Sequence, residues 1–363
     1  MPLQPAALLL LCGGALSSAS AAAPTPPALE LHNFVASHMV LAREPLSARV
    51  WGNATAGATV TVALHGVGSW KSAPASADGG WTVVLPPQPA GVGHTLTVSD
   101  GTTTLALEDI AFGDVFLCTG QSNMEFSLNA AMNASAEIAD SANYPNLRLA
   151  TVDTRPASTP MRNAPSIANY TGPDGKVEAW RRSGPDAFAP ATSTTFSYFS
   201  AVCYLFGRDL YKQRPGVPIG LVASDVGGVK IETLMSAEAL TDDSCGGTAK
   251  SLNVSTTSSA TSAVRGAAAA ESELGAGPGD VWDGMIYPLL PMRFTSVIFY
   301  QGESNSLAGC PSAYACLFPS LIADWRNNFE LPDLGFFFVQ LAACKFTRDF
   351  YSPWKPEPVF WLR

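Results

Sequence analysis

The sequence predicts an α/β domain built on a parallel sheet and preceded by a small β-sandwich. Three observations lead there. Residues 29–108 carry short apolar runs that alternate with polar residues and are separated by turns, the pattern of half-buried antiparallel strands. After Asp109 the apolar runs become continuous, as in strands buried on both faces. Between the first two of these runs lies a helical period, so the order strand, helix, strand calls for right-handed crossovers in a parallel sheet.

In the first part, Val60, Val62 and Leu64 alternate with Thr61 and Ala63. Trp81, Val83 and Leu85 follow the turn Asp78-Gly79-Gly80, and Leu96 and Val98 precede the turn at Asp100-Gly101. In the second part the buried strands are predicted at Val115 to Cys118, Ile219 to Ala223, Val297 to Tyr300 and Phe336 to Val339. Phe196, Phe199, Cys203, Phe206 and Leu210 recur at spacings of three and four, which predicts a helix that Gly216 and Pro218 end. Residues 246–279 are rich in Ala, Ser, Thr and Gly and read as a flexible surface insertion with a short helix from Ala267 to Glu273. The expected organisation is a signal peptide over 1–23, the sandwich over 29–108 and the α/β domain over 109–363.

Composition narrows the class of function. The 363 residues are 47% apolar and 14% charged, a globular balance, and the net charge of −9 with no basic run argues against a nucleic-acid partner. Ala6 to Leu16 is apolar and is followed by small residues as far as Ala23, which predicts a cleaved secretory signal too short to span a bilayer. No membrane span is expected after its removal, and the predicted location is the secretory pathway, ending outside the cell or in a lysosome or vacuole. Six cysteines would remain: Cys118, Cys203, Cys245, Cys310, Cys316 and Cys344. That even number suits disulfides of open connectivity, with Cys310 and Cys316 close enough to close a small loop. Asn53, Asn133, Asn169 and Asn253 each begin a glycosylation sequon.

Three polar, glycine-containing turns follow three of the predicted buried strands. They are Gly120-Gln121-Ser122-Asn123-Met124, Asp225-Val226-Gly227-Gly228 and Gln301-Gly302-Glu303-Ser304-Asn305. In an open parallel sheet, ligands bind beyond the carboxyl ends of the strands, so these turns are expected to converge on one site. The first block, from Phe112 to Met124, resembles the nucleophile block of the sialate O-acetylesterases, and Tyr300 to Asn305 resembles their third block. The resemblance continues in Ser37 to Leu41, Phe196 to Arg208, Trp282 to Ile286 and Phe318 to Arg326.

That resemblance implies a flavodoxin-like hydrolase domain of the Ser-Gly-Asn-His type and a serine esterase acting on O-acetylated sialic acid, or on another acetylated carbohydrate such as xylan acetate. Ser122 would be the nucleophile and form an acyl-enzyme. The Ser122 amide, a backbone amide at Gly227 or Gly228, and the side-chain amide of Gln301 or Asn305 would receive the oxyanion, with Gln301 preferred. Asn123 and Glu303 would support the site, Glu303 as a hydrogen-bonding scaffold. The route needs no metal and no organic cofactor.

Two departures stand out. Where the family reads Trp-Gly-Gly-Thr, this chain reads Val226-Gly227-Gly228-Val229, and Tyr287 replaces a family histidine. The family also carries its catalytic His and Asp on a late loop, whereas His32, His38, His65 and His94 all precede the nucleophile. The resemblance therefore implies an α/β domain incomplete at its carboxyl end, without the catalytic His and Asp. A catalytically silent glycan-binding protein, or a truncated gene product, is the rival expectation.

Overall fold

The computed structural model describes residues 29–165, 179–188, 199–241, 275–307 and 311–341. The predicted signal peptide, residues 246–274 of the predicted insertion and residues 342–363 lie outside them, as does Phe196.

Residues 29–103 form β1 (Glu30–Leu31), β2 (Val40–Ala42), β3 (Ala48–Asn53), β4 (Thr61–Leu64), β5 (Gly68–Lys71), β6 (Gly80–Leu85) and β7 (Gly91–Ser99). Strands β1, β3 and β6 make one antiparallel sheet; β4 pairs antiparallel with β5 and β7. The alternation legible in the sequence is real, since Trp81, Val83 and Leu85 are buried while Thr82 and Val84 are exposed. Gly79 and Gly101 take φ of 87° and 89° in the two predicted turns, a region that favours glycine.

The predicted boundary at 108 and 109 falls inside one strand. β8 (Thr104–Gly120) pairs antiparallel with β7 over its first half, then becomes the middle of a parallel set. Its burial changes from alternating to continuous near Ile110, which is the change of pattern the sequence displays. One hydrophobic cluster runs from Val50, Val62 and Leu96 through Val115 and Val297 to Trp325, so the two parts share a core.

The remaining strands are β9 (Leu147–Thr151), β10 (Trp180–Arg182), β11 (Ile219–Asp225), β12 (Ser296–Tyr300) and β13 (Gly335–Phe338). Their order with β8 is β10, β9, β11, β8, β12, β13, parallel except for β10 against β9. The sheet is therefore mixed. Counted along the chain, its parallel strands run 2-3-1-4-5, which departs from the expected flavodoxin-like 2-1-3-4-5. Buried strands look alike in sequence whichever neighbour they take, and β11 inserts between β9 and β8.

Period two explains why these strands read as continuous apolar runs. Val115, Leu117, Val222, Val297 and Phe299 face one cluster, while Phe116, Cys118, Leu221 and Ile298 face another. Strand β13 differs from expectation: it pairs only with β12 among the described residues, and Phe337 and Phe338 are 53% and 58% exposed.

The helices, in chain order, are α1 (Ser122–Glu125), α2 (Ala134–Asp140), α3 (Ala201–Gln213), α4 (Ala237–Thr241), α5 (Glu303–Leu307) and α6 (Pro311–Asn328). α3 begins later than its period predicts because Ser200 caps it, its hydroxyl accepting the Cys203 N–H at 3.1 Å. Phe199 thus packs just ahead of the helix. A Cβ on Gly207 would stand 2.5 Å from Leu221, so this glycine lets α3 lie close on β11.

A Cys118–Cys203 disulfide ties α3 to the central strand across 85 residues. Closing a loop of that length stabilises by about 4.6 kcal/mol in the chain-entropy account. Cys316 is also disulfide-bonded. Asn133 is exposed and Asn53 half-buried; the other two sequons lie outside. Among the described residues no helix is long and apolar enough to cross a membrane.

Candidate active site

The three predicted blocks leave the carboxyl ends of adjacent parallel strands, β11, β8 and β12. Strand β8 ends at Gly120, whose φ of 149° and whose approach to Tyr300 leave no room for a side chain: a Cβ would stand 2.0 Å from the Tyr300 carbonyl oxygen. Gln121 N–H then donates to that same carbonyl at 3.0 Å, and the chain turns into α1 with Ser122 as its first residue. Met124 is fully buried and anchors the short helix.

Across the sheet, Val226 N–H donates to Gly120 O at 3.1 Å, which sets the second block beside the first. Gly227 and Gly228 follow, Gly228 with φ of 72°. A Cβ built on Gly227 would lie 3.7 Å from Ser122 Cβ and 3.0 Å from Glu125 Oε2. Ser122, Gly227 and Glu125 therefore converge, and a larger residue at 227 would crowd the carboxylate. The backbone N–H groups of Ser122, Gly227 and Gly228 donate to none of the described residues.

Two carboxyl groups flank this point, and the sequence reading assigned neither a role. Asp225 ends β11, is buried, and leaves Oδ2 without a hydrogen-bond partner. Burial pushes its carboxyl well above the usual carboxylate range, and the Glu125 charge pushes in the same direction. A carboxyl buried where a strand meets a glycine turn is the signal that marks it in the sequence.

The third block is turned inward. Gln301 Nε2 donates to Asn305 Oδ1 at 2.8 Å and Val229 O at 3.1 Å, with Gln121 Oε1 at 3.3 Å. Asn305 Oδ1 also accepts the Ile231 N–H at 2.9 Å, and its Nδ2 donates to Glu232 at 2.8 Å. Since Ile231 N–H can only donate, it fixes Asn305 Oδ1 as acceptor and hence Gln301 Nε2 as donor. Both amides are buried and committed to holding the loop after β11 against the loop after β12. This differs from the preferred expectation that Gln301 presents its amide to the substrate. Gln121 completes the framework, its Oε1 taking Gly302 and Ser304 N–H at 3.4 and 3.2 Å. Asn123 is exposed and donates to Glu303 Oε1, while Glu303 Oε2 is buried without a partner.

The histidines stand elsewhere. His38 Nδ1 lies 2.7 Å from Asp109 Oδ2, eleven residues before Gly120 on the same extended strand. At ~3.3 Å per residue, at most about 36 Å of strand separates Asp109 from Gly120. His94 pairs with Ile110 on that strand, and His65 joins Thr97 in β7. His32 lines a separate cavity with Trp51 and Asn53. No group of three or more His, Cys, Asp or Glu side chains suited to a metal occurs among the described residues.

Comparison with known proteins identifies the family. The chain is 35% identical over 340 residues to the sialate O-acetylesterase of Rattus norvegicus, covering 86% of this chain and 60% of that protein. The corresponding Homo sapiens protein is 34% identical over 313 residues, covering 84% and 54%. The chain thus spans less than two thirds of the length of either relative. A solved carbohydrate acetylesterase from Xanthomonas citri superposes with a TM-score of 0.65 at 28% identity, covering 86% of this chain and 60% of that one. Residues 112–355 match the family described as carbohydrate esterase, sialic acid-specific acetylesterase, and this chain belongs to that family.

Proposed function

We propose that the protein is a carboxylic-ester hydrolase that removes O-acetyl groups from sugars, with O-acetylated sialic acid as the preferred substrate. The observation that carries this reading is the meeting of Ser122 and Gly227 at the carboxyl ends of β8 and β11, with three backbone N–H groups left unbonded there. The names of the rat and human relatives support the sialate, and the Xanthomonas protein supports acetylated carbohydrate more broadly.

In the proposed route the Ser122 hydroxyl attacks the acetyl carbonyl and its proton passes to a base as the C–O bond forms. The tetrahedral oxyanion sits among the N–H groups of Ser122, Gly227 and Gly228. Collapse expels the sugar oxygen, which takes a proton, and water then releases acetate from Ser122. Gln301, Asn305 and Gln121 hold those backbone groups in place. We assign the base to none of His38, His65 and His94, since His38 joins Asp109, His65 joins Thr97 and His94 stands on β7 opposite Ile110. The Cys118–Cys203 disulfide supports residence in an oxidising compartment, the secretory pathway.

The test is acetate release from O-acetylated sialic acid, acetylated xylan and an aryl acetate, with fluorophosphonate labelling of Ser122. Labelling that Ser122→Ala abolishes, with release from the sialate in excess of xylan, is the expected result. Labelling that persists in Ser122→Ala removes the assignment. Binding of acetylated sialoglycan with no labelling and no release favours the silent glycan-binding reading. Joining the late segment of a relative that carries Asp-x-x-His then separates a missing base from a dead site.

A further inference from the structure

Two of the four sequons fall among the described residues, in different surroundings. Asn53 ends β3, with Ala54 and Thr55 after it. Asn133 stands just ahead of α2, whose first residues are Ala134 and Ser135. An oligosaccharide joined to asparagine is bulky and hydrophilic, so the modified amide must reach solvent in the finished fold.

Asn133 meets that demand. It is exposed, as is Ser135, which carries the sequon hydroxyl. Asparagine ahead of a helix ordinarily uses its side chain to accept the first N–H groups, but Asn133 makes no such cap. The turn holds without it: the Asn133 carbonyl accepts the Ala136 and Glu137 N–H groups at 3.0 and 3.2 Å. The residue takes φ of 63°, a left-handed conformation that asparagine tolerates. Met132 beside it is 95% exposed, so this turn projects from the surface. No residue of α2 is buried, and the Arg208–Glu137 ion pair ties that helix to α3. A large group on Asn133 therefore displaces no packed side chain.

Asn53 is the opposite case. It stands on the middle strand of a three-stranded sheet, opposite Glu30 on β1 and Gly80 on β6. It is half-buried, and its side chain is hydrogen-bonded to the buried His32. Ala54 is fully buried, with its N–H on the Gly79 carbonyl at 2.8 Å. A glycan on Asn53 would disturb the bond to His32 and leave a buried polar group unpaired. We propose that Asn133 is a modification site that carries an N-linked oligosaccharide, while Asn53 stays bare. In the transfer, Asn133 Nδ2 forms a bond to C1 of the N-acetylglucosamine of a lipid-diphosphate-linked oligosaccharide. The bond from C1 to the diphosphate oxygen breaks, the lipid diphosphate leaves with the electron pair, and the amide gives up one proton. This inference rests on passage through the secretory pathway and not on the chemistry of Ser122.

The test is the full chain expressed in a eukaryotic secretory host, beside a second form in which a host signal peptide replaces residues 1–23. Export of the second form alone counts against the predicted signal, and the glycan is then read on that form. Peptide N-glycosidase in heavy-oxygen water turns each glycosylated asparagine into a labelled aspartate, and a peptide map reads every sequon separately. Label is expected at Asn133 in most molecules, with Asn53 labelled about tenfold less or lower still. Ser135→Ala removes the sequon hydroxyl at an exposed helical position that suits alanine, and should subtract one glycan from the intact mass. Ser135→Thr keeps the sequon and should retain that glycan. Thr55→Ala should leave the glycan number unchanged. An unlabelled Asn133, labelling of Asn53 equal to that of Asn133, or a full glycan number in Ser135→Ala overturns the proposal. Where a variant is not exported, the wild-type peptide map alone decides.

Discussion

The two ends of β8 are both polar, and they are built on opposite principles. At the amino end, Asp109 receives His38, the fully buried Arg148 at 3.0 Å and Arg182 at 2.7 Å. Burial pushes the Asp109 carboxyl up, but these three partners together hold it below the ordinary range. At the carboxyl end, the buried Asp225 faces the like charge of Glu125, keeps an unpartnered oxygen and is pushed the other way. A His–Asp pair in a hydrolase invites a catalytic reading, yet this one is saturated by arginines and clamps the entry of the strand. Groups beside Ser122, the proposed nucleophile, are left unsatisfied among the described residues.

Substitutions at the two ends should separate cleanly. The largest effect is expected from Ser122→Ala, a loss on the order of 10⁴-fold or more in esterase turnover with an unchanged melting temperature. A form that keeps its turnover would erase the distinction between the ends. Next, Asp109→Ala leaves Arg148 buried without its counter-charge and should cost about 3–5 kcal/mol in denaturant unfolding. Asp109 also sits at φ of 54°, which Asn tolerates, so Asp109→Asn should recover part of that loss. Because the folded Asp109 value is lowered, its contribution is present above the unfolded value and fades as pH falls through the folded one. Wild type should lose more stability on acidification than Asp109→Asn.

Gln301→Ala should cost about 1–3 kcal/mol, because the Asn305 and Val229 acceptors lose their donor. Turnover should fall together with that stability. A hundred- to thousandfold loss of turnover at unchanged stability would return Gln301 to the role of oxyanion donor. The smallest effect is expected at Asp225. Its folded value is raised, so the native state binds more protons than the unfolded one, and stability falls as pH rises from the unfolded value through the folded one. Asp225→Asn should raise the melting temperature at pH 7 by roughly 1–2 °C, as ~1 kcal/mol does for a chain of this size, and by less near pH 4. An equal shift at both pH values would remove the charge argument.

Much of this was legible in the chain itself. Alternation located β4, β6 and β7, continuous apolar runs located β8, β11 and β12, and the polar turns after them pointed to the candidate site, because side-chain period and turn chemistry are local properties. The exposure of Phe337 and Phe338 was not legible, since an edge strand and a central one share the same composition. Nor was the sheet order, which depends on which strand each crossover reaches.

The sequence by itself determined several of the elements, the three polar turns and the family, all carried by residues close together in the chain. Tertiary structure alone decided that Gln301 is held by Ile231 through Asn305, that Asp225 faces Glu125, and that His38 is bound to Asp109 on the amino-terminal half of β8. Each of these depends on the direction of a side chain and on a partner distant in sequence. A carboxyl or an amide has the same letter whether it is saturated or poised; only its neighbours in space distinguish the two.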